Sequence, residues 1–106
     1  MTALAPAAAI ALAVRLLDEA GFPVSARNTR GDSVYCRSSA DAPAIRVSNH
    51  ARTPKQRRNH PDVATSLVFR DPKTPDQVAA MVEAALRTWR AVRGREGDGD
   101  QRGRAN

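Results

Sequence analysis

The sequence predicts an α+β fold: a two-layer sandwich in the order α-β-β-β-(β)-α, with an antiparallel sheet and its helices on one face. Three observations lead there. Stretches with apolar residues at helical spacing stand near both ends, over residues 7–20 and 74–93. Between them, short apolar–polar alternations are separated by turn-forming residues. A chain of 106 residues, 42% hydrophobic and 26% charged, is enough for one small core and no more.

In the first helix, Ile10, Ala13, Val14 and Leu17 fall on one face, with Leu12 and Leu16 beside them. Alanine supplies most of the rest, and Gly21 is the natural stop. Asp18 and Glu19 oppose the helix dipole at that end. Phe22, Val24 and Ala26 alternate with Pro23 and Ser25 as a first strand, Pro standing near its start where it is tolerated. Residues 27–32 form a turn. Val34 and Cys36 then alternate with Ser33, Tyr35 and Arg37 as a second strand. After a turn at 38–43, Ile45 and Val47 share one face of a third strand, and Arg46 and Ser48 the other. The apolar run over residues 66–70 predicts a fourth strand.

The last helix carries the strongest local signal. Thr74-Pro75-Asp76-Gln77 is a capping box with Pro at the first helical position. Val78, Met81, Val82, Ala85, Leu86, Trp89 and Val92 follow as one apolar stripe, so Trp89 is expected in the core. Glu83 and Arg87 can pair at i,i+4, Arg90 and Arg93 suit the helix C-terminus, and Gly94 is expected to end it. The predicted outer sheet face, bearing Ser25, Tyr35, Arg37, Arg46 and Ser48, reads as wet and basic.

The implied organisation is a flexible lead over residues 1–6, one domain over 7–93, and a disordered tail over 94–106. That tail alternates Gly with charges that cancel, and holds no apolar residue larger than Ala105. Residues 1–14 are uncharged but contain Pro6, end at Arg15 and have no basic residue before it; this is too short for a membrane span and unlike an export signal. A cytoplasmic protein with no membrane association is expected. A single Cys excludes an internal disulfide framework.

The net charge of +6 is not spread evenly. Residues 27–60 hold Arg27, Arg30, Arg37, Arg46, Arg52, Lys55, Arg57 and Arg58 against Asp32 and Asp41, which accounts for the whole excess. Residues 49–62 are long for a plain connector and place Arg52, Lys55, Arg57 and Arg58 within seven positions. Guanidinium groups recognise phosphate well, so this loop is a candidate polyanion-tracking segment. Arg37, Arg46 and the stacking candidate Tyr35 would adjoin it on the sheet face. A solvated surface loop is the plainer alternative for the loop, and closure of the sheet edge for Tyr35.

Catalytic and metal patterns are sparse. Cys36, His50 and His60 lack the close-paired spacing of a structural zinc site, so no metal or cofactor is expected, and Cys36 reads as a small buried hydrophobe. His50 and His60 bracket the basic loop and could act as base and acid of a ribonuclease.

Leu16-Leu17-Asp18-Glu19-Ala20-Gly21-Phe22, then Gly31-Asp32-Ser33-Val34-Tyr35, then Ile45-Arg46-Val47-Ser48-Asn49-His50 resemble two groups. One is the HicA-like toxins, small ribonucleases with a fold like that of the double-stranded RNA-binding domain; the resemblance covers about residues 10–50. It implies an α-β-β-β-α fold. Those toxins carry a catalytic His in the second strand after a Gly-Ser pair, whereas Gly31-Asp32-Ser33-Val34 has none, so the resemblance speaks to fold rather than to activity. The other is a group of small phage and mobile-element proteins with a Ser-x-Tyr strand and an Ile-Arg-Val-Ser-(Asp/Asn)-His strand, which implies a mobile-element setting.

The leading expectation is therefore a small RNA- or DNA-binding module. The second is a protein-binding inhibitor of a host defence complex (anti-CRISPR-like) acting through a host protein partner, and the third a HicA-like ribonuclease.

Overall fold

The computed structural model describes residues 2–30, 32–59 and 61–105, excepting the side chains of residues 56, 59 and 95–105. The elements are α1 (Pro6–Glu19), β1 (Val24–Arg27), β2 (Ser33–Cys36), β3 (Ala44–Ser48), α2 (Pro54–Asn59), β4 (Val63–Val68) and α3 (Pro75–Ala105). The fold is α+β, with one four-stranded sheet in the order β1-β2-β3-β4.

Local chemistry explains the element ends. Gly21, at φ 94°, closes α1 in a Schellman arrangement: the Phe22 N–H donates to Leu17 O (2.8 Å) and the Gly21 N–H to Asp18 O (3.0 Å). Phe22 and Leu17 are both buried in the core, the hydrophobic contact this motif usually carries. At the start of α3 the expected box forms: the Thr74 N–H donates to Gln77 Oε1 (2.9 Å), and the Gln77 N–H to Thr74 Oγ1 (3.2 Å).

The core lies between the sheet and the pair α1 and α3. Ala9, Ala13 and Leu17 of α1 meet Val34 and Cys36 of β2, Ile45 and Val47 of β3, Leu67 and Phe69, and Val78, Val82 and Ala85 of α3. Trp89 stands edge-on to Phe22 (centroids 4.8 Å apart, planes at 87°) and donates its indole N–H to Pro43 O (2.7 Å), so its polar atom is satisfied at the core margin.

The sheet is mixed, not antiparallel throughout. β1–β2 and β2–β3 pair antiparallel, but β3 and β4 run parallel, with Val47 opposite Leu67 and Ser48 opposite Val68. Parallel neighbours cannot be joined by a tight turn and need a crossover of about a dozen residues, which is the length of the 49–62 connection. β4 also begins at Val63, ahead of the run over 66–70, because β3 offers its hydrogen-bonding edge from Ala44 onward: the Ala44 N–H donates to Asp62 O (2.9 Å).

Other ends differ from expectation. β1 is exposed along all four residues, with a register shift between Val24 and Ala26, because α1 lies over β2 and β3 and leaves this edge uncovered. Within the expected lead, Leu4 bridges Lys73, with Leu4 N–H to Lys73 O at 2.6 Å and Lys73 N–H to Leu4 O at 3.0 Å. Gly94 does not adopt the left-handed conformation of a helix stop, and α3 continues through it to Ala105. The side chains beyond residue 94, on which the expected tail falls, lie outside the described set.

Candidate nucleic-acid interface

The face of the sheet away from α1 and α3 was expected to be wet. It is largely dry. Ser33, Arg46 and Ser48 have no exposed surface and Tyr35 has almost none; Ser25 alone of the five predicted residues is exposed, and Arg37 is half-buried. The crossover is what changes this. Tyr35 packs with Ala44 and Val63 in a second small cluster, and the chain leaving β3 returns beneath the same face. His50 Nδ1 sits 3.2 Å from Ser48 Oγ and 3.9 Å from Asp32 Oδ2, and Arg52 is near enough to Arg46 to act on its charge.

Under this cover runs a directional set of hydrogen bonds. Ser48 Oγ donates to the Asp32 carbonyl (2.9 Å), Ser33 and Ser48 share a bond at 2.8 Å, and Arg46 Nη2 reaches Ser33 Oγ at 3.4 Å. With the Ser48 proton committed to a carbonyl, the Ser33 hydroxyl donates to Ser48 and accepts from Arg46. His50 Nδ1 is also 2.9 Å from Asn49 Oδ1, an acceptor that requires the ring nitrogen to carry the proton. In this arrangement Ser48 aims its proton at the Asp32 carbonyl and not at His50 Nδ1, so these contacts do not form the Ser–His relay of an activated nucleophile. The Asp32 carboxylate is held below its ordinary range, first by the Asn28 amide and then by the charges of Arg30 and His50. Asn28 also accepts the Ser33 N–H (3.0 Å), closing the β1–β2 turn.

The predicted cations divide by fate. Arg37 is occupied: it donates to Ala42 O (2.8 Å) and forms an ion pair with Asp62. Arg46 is buried, so it is not a surface contact. Lys55, Arg57 and Arg58 project from α2 and are exposed, and among the described residues none of them forms an ion pair. Arg52 is half-buried where the crossover leaves the sheet.

α2 itself is absent from the sequence reading, which treats residues 49–62 as a loop without structure of its own. Its signal was present, because Thr53-Pro54-Lys55-Gln56 repeats the Thr-Pro-x-Gln pattern that starts α3. The Arg57 N–H closes the first turn on Thr53 O (3.0 Å), and Arg57 and Arg58 lie in the last turn, where cations complement the helix dipole.

The sites considered for catalysis and metal do not come together. Cys36 points into the core with α1 and α3, while His50 lies on the opposite side of the sheet, so the two cannot share an ion. His60 is outside the described residues, and among the rest no three His, Cys, Asp or Glu residues cluster. Also among the described residues, no helix is long and apolar enough to cross a membrane. Compared with protein families, curated proteins and solved structures, the chain matches none.

Proposed function

We propose that the protein binds a polynucleotide through the crossover, with Lys55, Arg57 and Arg58 of α2 and the neighbouring Arg52 as phosphate contacts. One observation carries the reading: three cations stand outward on a single short helix, unpaired among the described residues, so no internal carboxylate competes for them. Cations held this way displace condensed counterions from a phosphate backbone without first breaking a native contact. With base-edge readout not indicated, affinity rests on charge and tolerates sequence.

The test is an anisotropy titration against single- and double-stranded RNA and DNA at several salt concentrations. Four phosphate contacts give a slope of log affinity against log salt between about −3 and −4. Arg57→Glu with Arg58→Glu abolishes binding and leaves the fold intact, with stability changed by about 0.5 kcal/mol, because both side chains are exposed. A double variant that binds like the parent refutes the reading. Absence of polynucleotide binding together with stable capture of one acidic protein would place the same cations in a protein–protein interface.

A further inference from the structure

Arg46 is an anomaly that surface binding does not absorb. It lies mid-strand in β3 with no exposed surface, yet among the described residues Nε and Nη1 have no hydrogen-bond partner. These two nitrogens carry three of the five guanidinium N–H groups. Its remaining contacts are a long bond from Nη2 to Ser33 Oγ (3.4 Å) and a hydrogen bond to the Tyr35 side chain. Among the described residues no carboxylate pairs with it. Asp32, the acid on this face, is engaged by Asn28, Arg30 and His50, and its effect on Arg46 is smaller than the opposing effect of Arg52. A buried, unpaired cation beside a second cation raises the energy of the resting fold, and an apolar side chain of similar length would fill the position at lower cost. Burial accordingly pulls the guanidinium below its ordinary pKa, although it stays charged at neutral pH.

We propose that Arg46 anchors a phosphate-binding site roofed by residues 49–53: a phosphate oxyanion admitted between this stretch and the sheet takes the N–H groups of Nε and Nη1, with Arg52 as its second cation. The roof belongs to irregular backbone, since β3 ends at Ser48 and α2 begins at Pro54; at its α2 end Thr53 O holds the Arg57 N–H (3.0 Å), so the stretch ahead of Thr53 is the part that shifts. The anion supplies what the interior lacks, an acceptor and a compensating charge for Arg46, and it also relieves the Arg46–Arg52 repulsion. The choice of phosphate as ligand rests on the polyanion reading above, whereas the site itself can be tested without any polynucleotide.

The experiment is thermal unfolding of the full chain with inorganic phosphate replacing chloride at constant ionic strength and pH. The expected result is a rise in Tm of about 5 °C once phosphate exceeds its dissociation constant several-fold. The rise should vanish in Arg46→Met and persist in Arg57→Glu/Arg58→Glu. No phosphate-specific rise in the parent overturns the proposal. So does an equal rise in Arg46→Met, or its loss in the α2 double variant, which would put the anion on the outer surface. If Arg46→Met does not fold, the parent's buried arginine Nε–H resonance decides: a saturable shift with phosphate supports the site, and an unmoved resonance overturns it. Oligonucleotides with and without a 5′-phosphate then distinguish a strand end from free phosphate as the source. Loss of polynucleotide binding alone, with the phosphate response intact, separates failure of the functional reading from failure of this one.

Discussion

Cys36 and Arg46 occupy adjacent strands and show how one sheet can treat two groups oppositely. Cys36 faces the core, and burial pushes its thiol up to about 11. The unfolded chain ionises this thiol near its ordinary value, so stability should be unaffected by Cys36 below about pH 8.5 and fall between about 8.5 and 11. A Cys36→Ala variant would flatten that decline in denaturant midpoints, and a thiol reagent should modify the parent only as fast as it unfolds. Asp32 has the opposite sign. Its carboxyl is held low by Asn28, so its stabilising contribution is present above about pH 4 and lost as pH falls through the depressed folded value. Replacing Asn28 with Ala should raise the Asp32 titration midpoint, followed by carboxyl NMR. On the core side, Leu17 has no exposed surface and ties the Schellman turn to the sheet, so Leu17→Ala should cost about 2–5 kcal/mol in chemical denaturation.

At the scale of elements, termini carry much of the specification. Removing the Thr74 hydroxyl leaves the Gln77 N–H without its acceptor, so Thr74→Ala should cost about 1 kcal/mol. Gly21→Ala should cost about as much, for a different reason. Nothing lies within 4 Å of the added Cβ, and the penalty is the left-handed backbone alone. Gly21→Asn, which tolerates that region better, should recover part of the loss in the same melts. Both signals are plain in the sequence because capping is local chemistry over four to six residues. The sequence pattern at Thr53 is equally plain, but embedded in a polar stretch with no apolar stripe after it. Periodicity, which identifies α1 and α3, therefore had nothing to register at α2.

Across the whole molecule, the crossover determines what the basic residues can do. By joining parallel neighbours it must return over a face of the sheet, and in doing so it buries Ser33, Arg46 and Ser48 while carrying Lys55, Arg57 and Arg58 outward. Shortening it should therefore harm more than a loop ordinarily would, because the stretch after β3 places His50 against Ser48 and Asp32, unlike a cut in a solvent-facing turn. The four-stranded α+β architecture, the two packing helices, the packing of Trp89 against the core and the concentration of positive charge in residues 27–60 were all legible in the sequence alone. Each rests on spacing or composition within one segment. The parallel pairing of β3 and β4, the dryness of the second sheet face and the division of the arginines into paired, buried and outward groups were decided only by the tertiary structure. An alternating strand reads the same whether its far side meets water or a returning chain, and strand direction is set by the path of the connection, which no local pattern records.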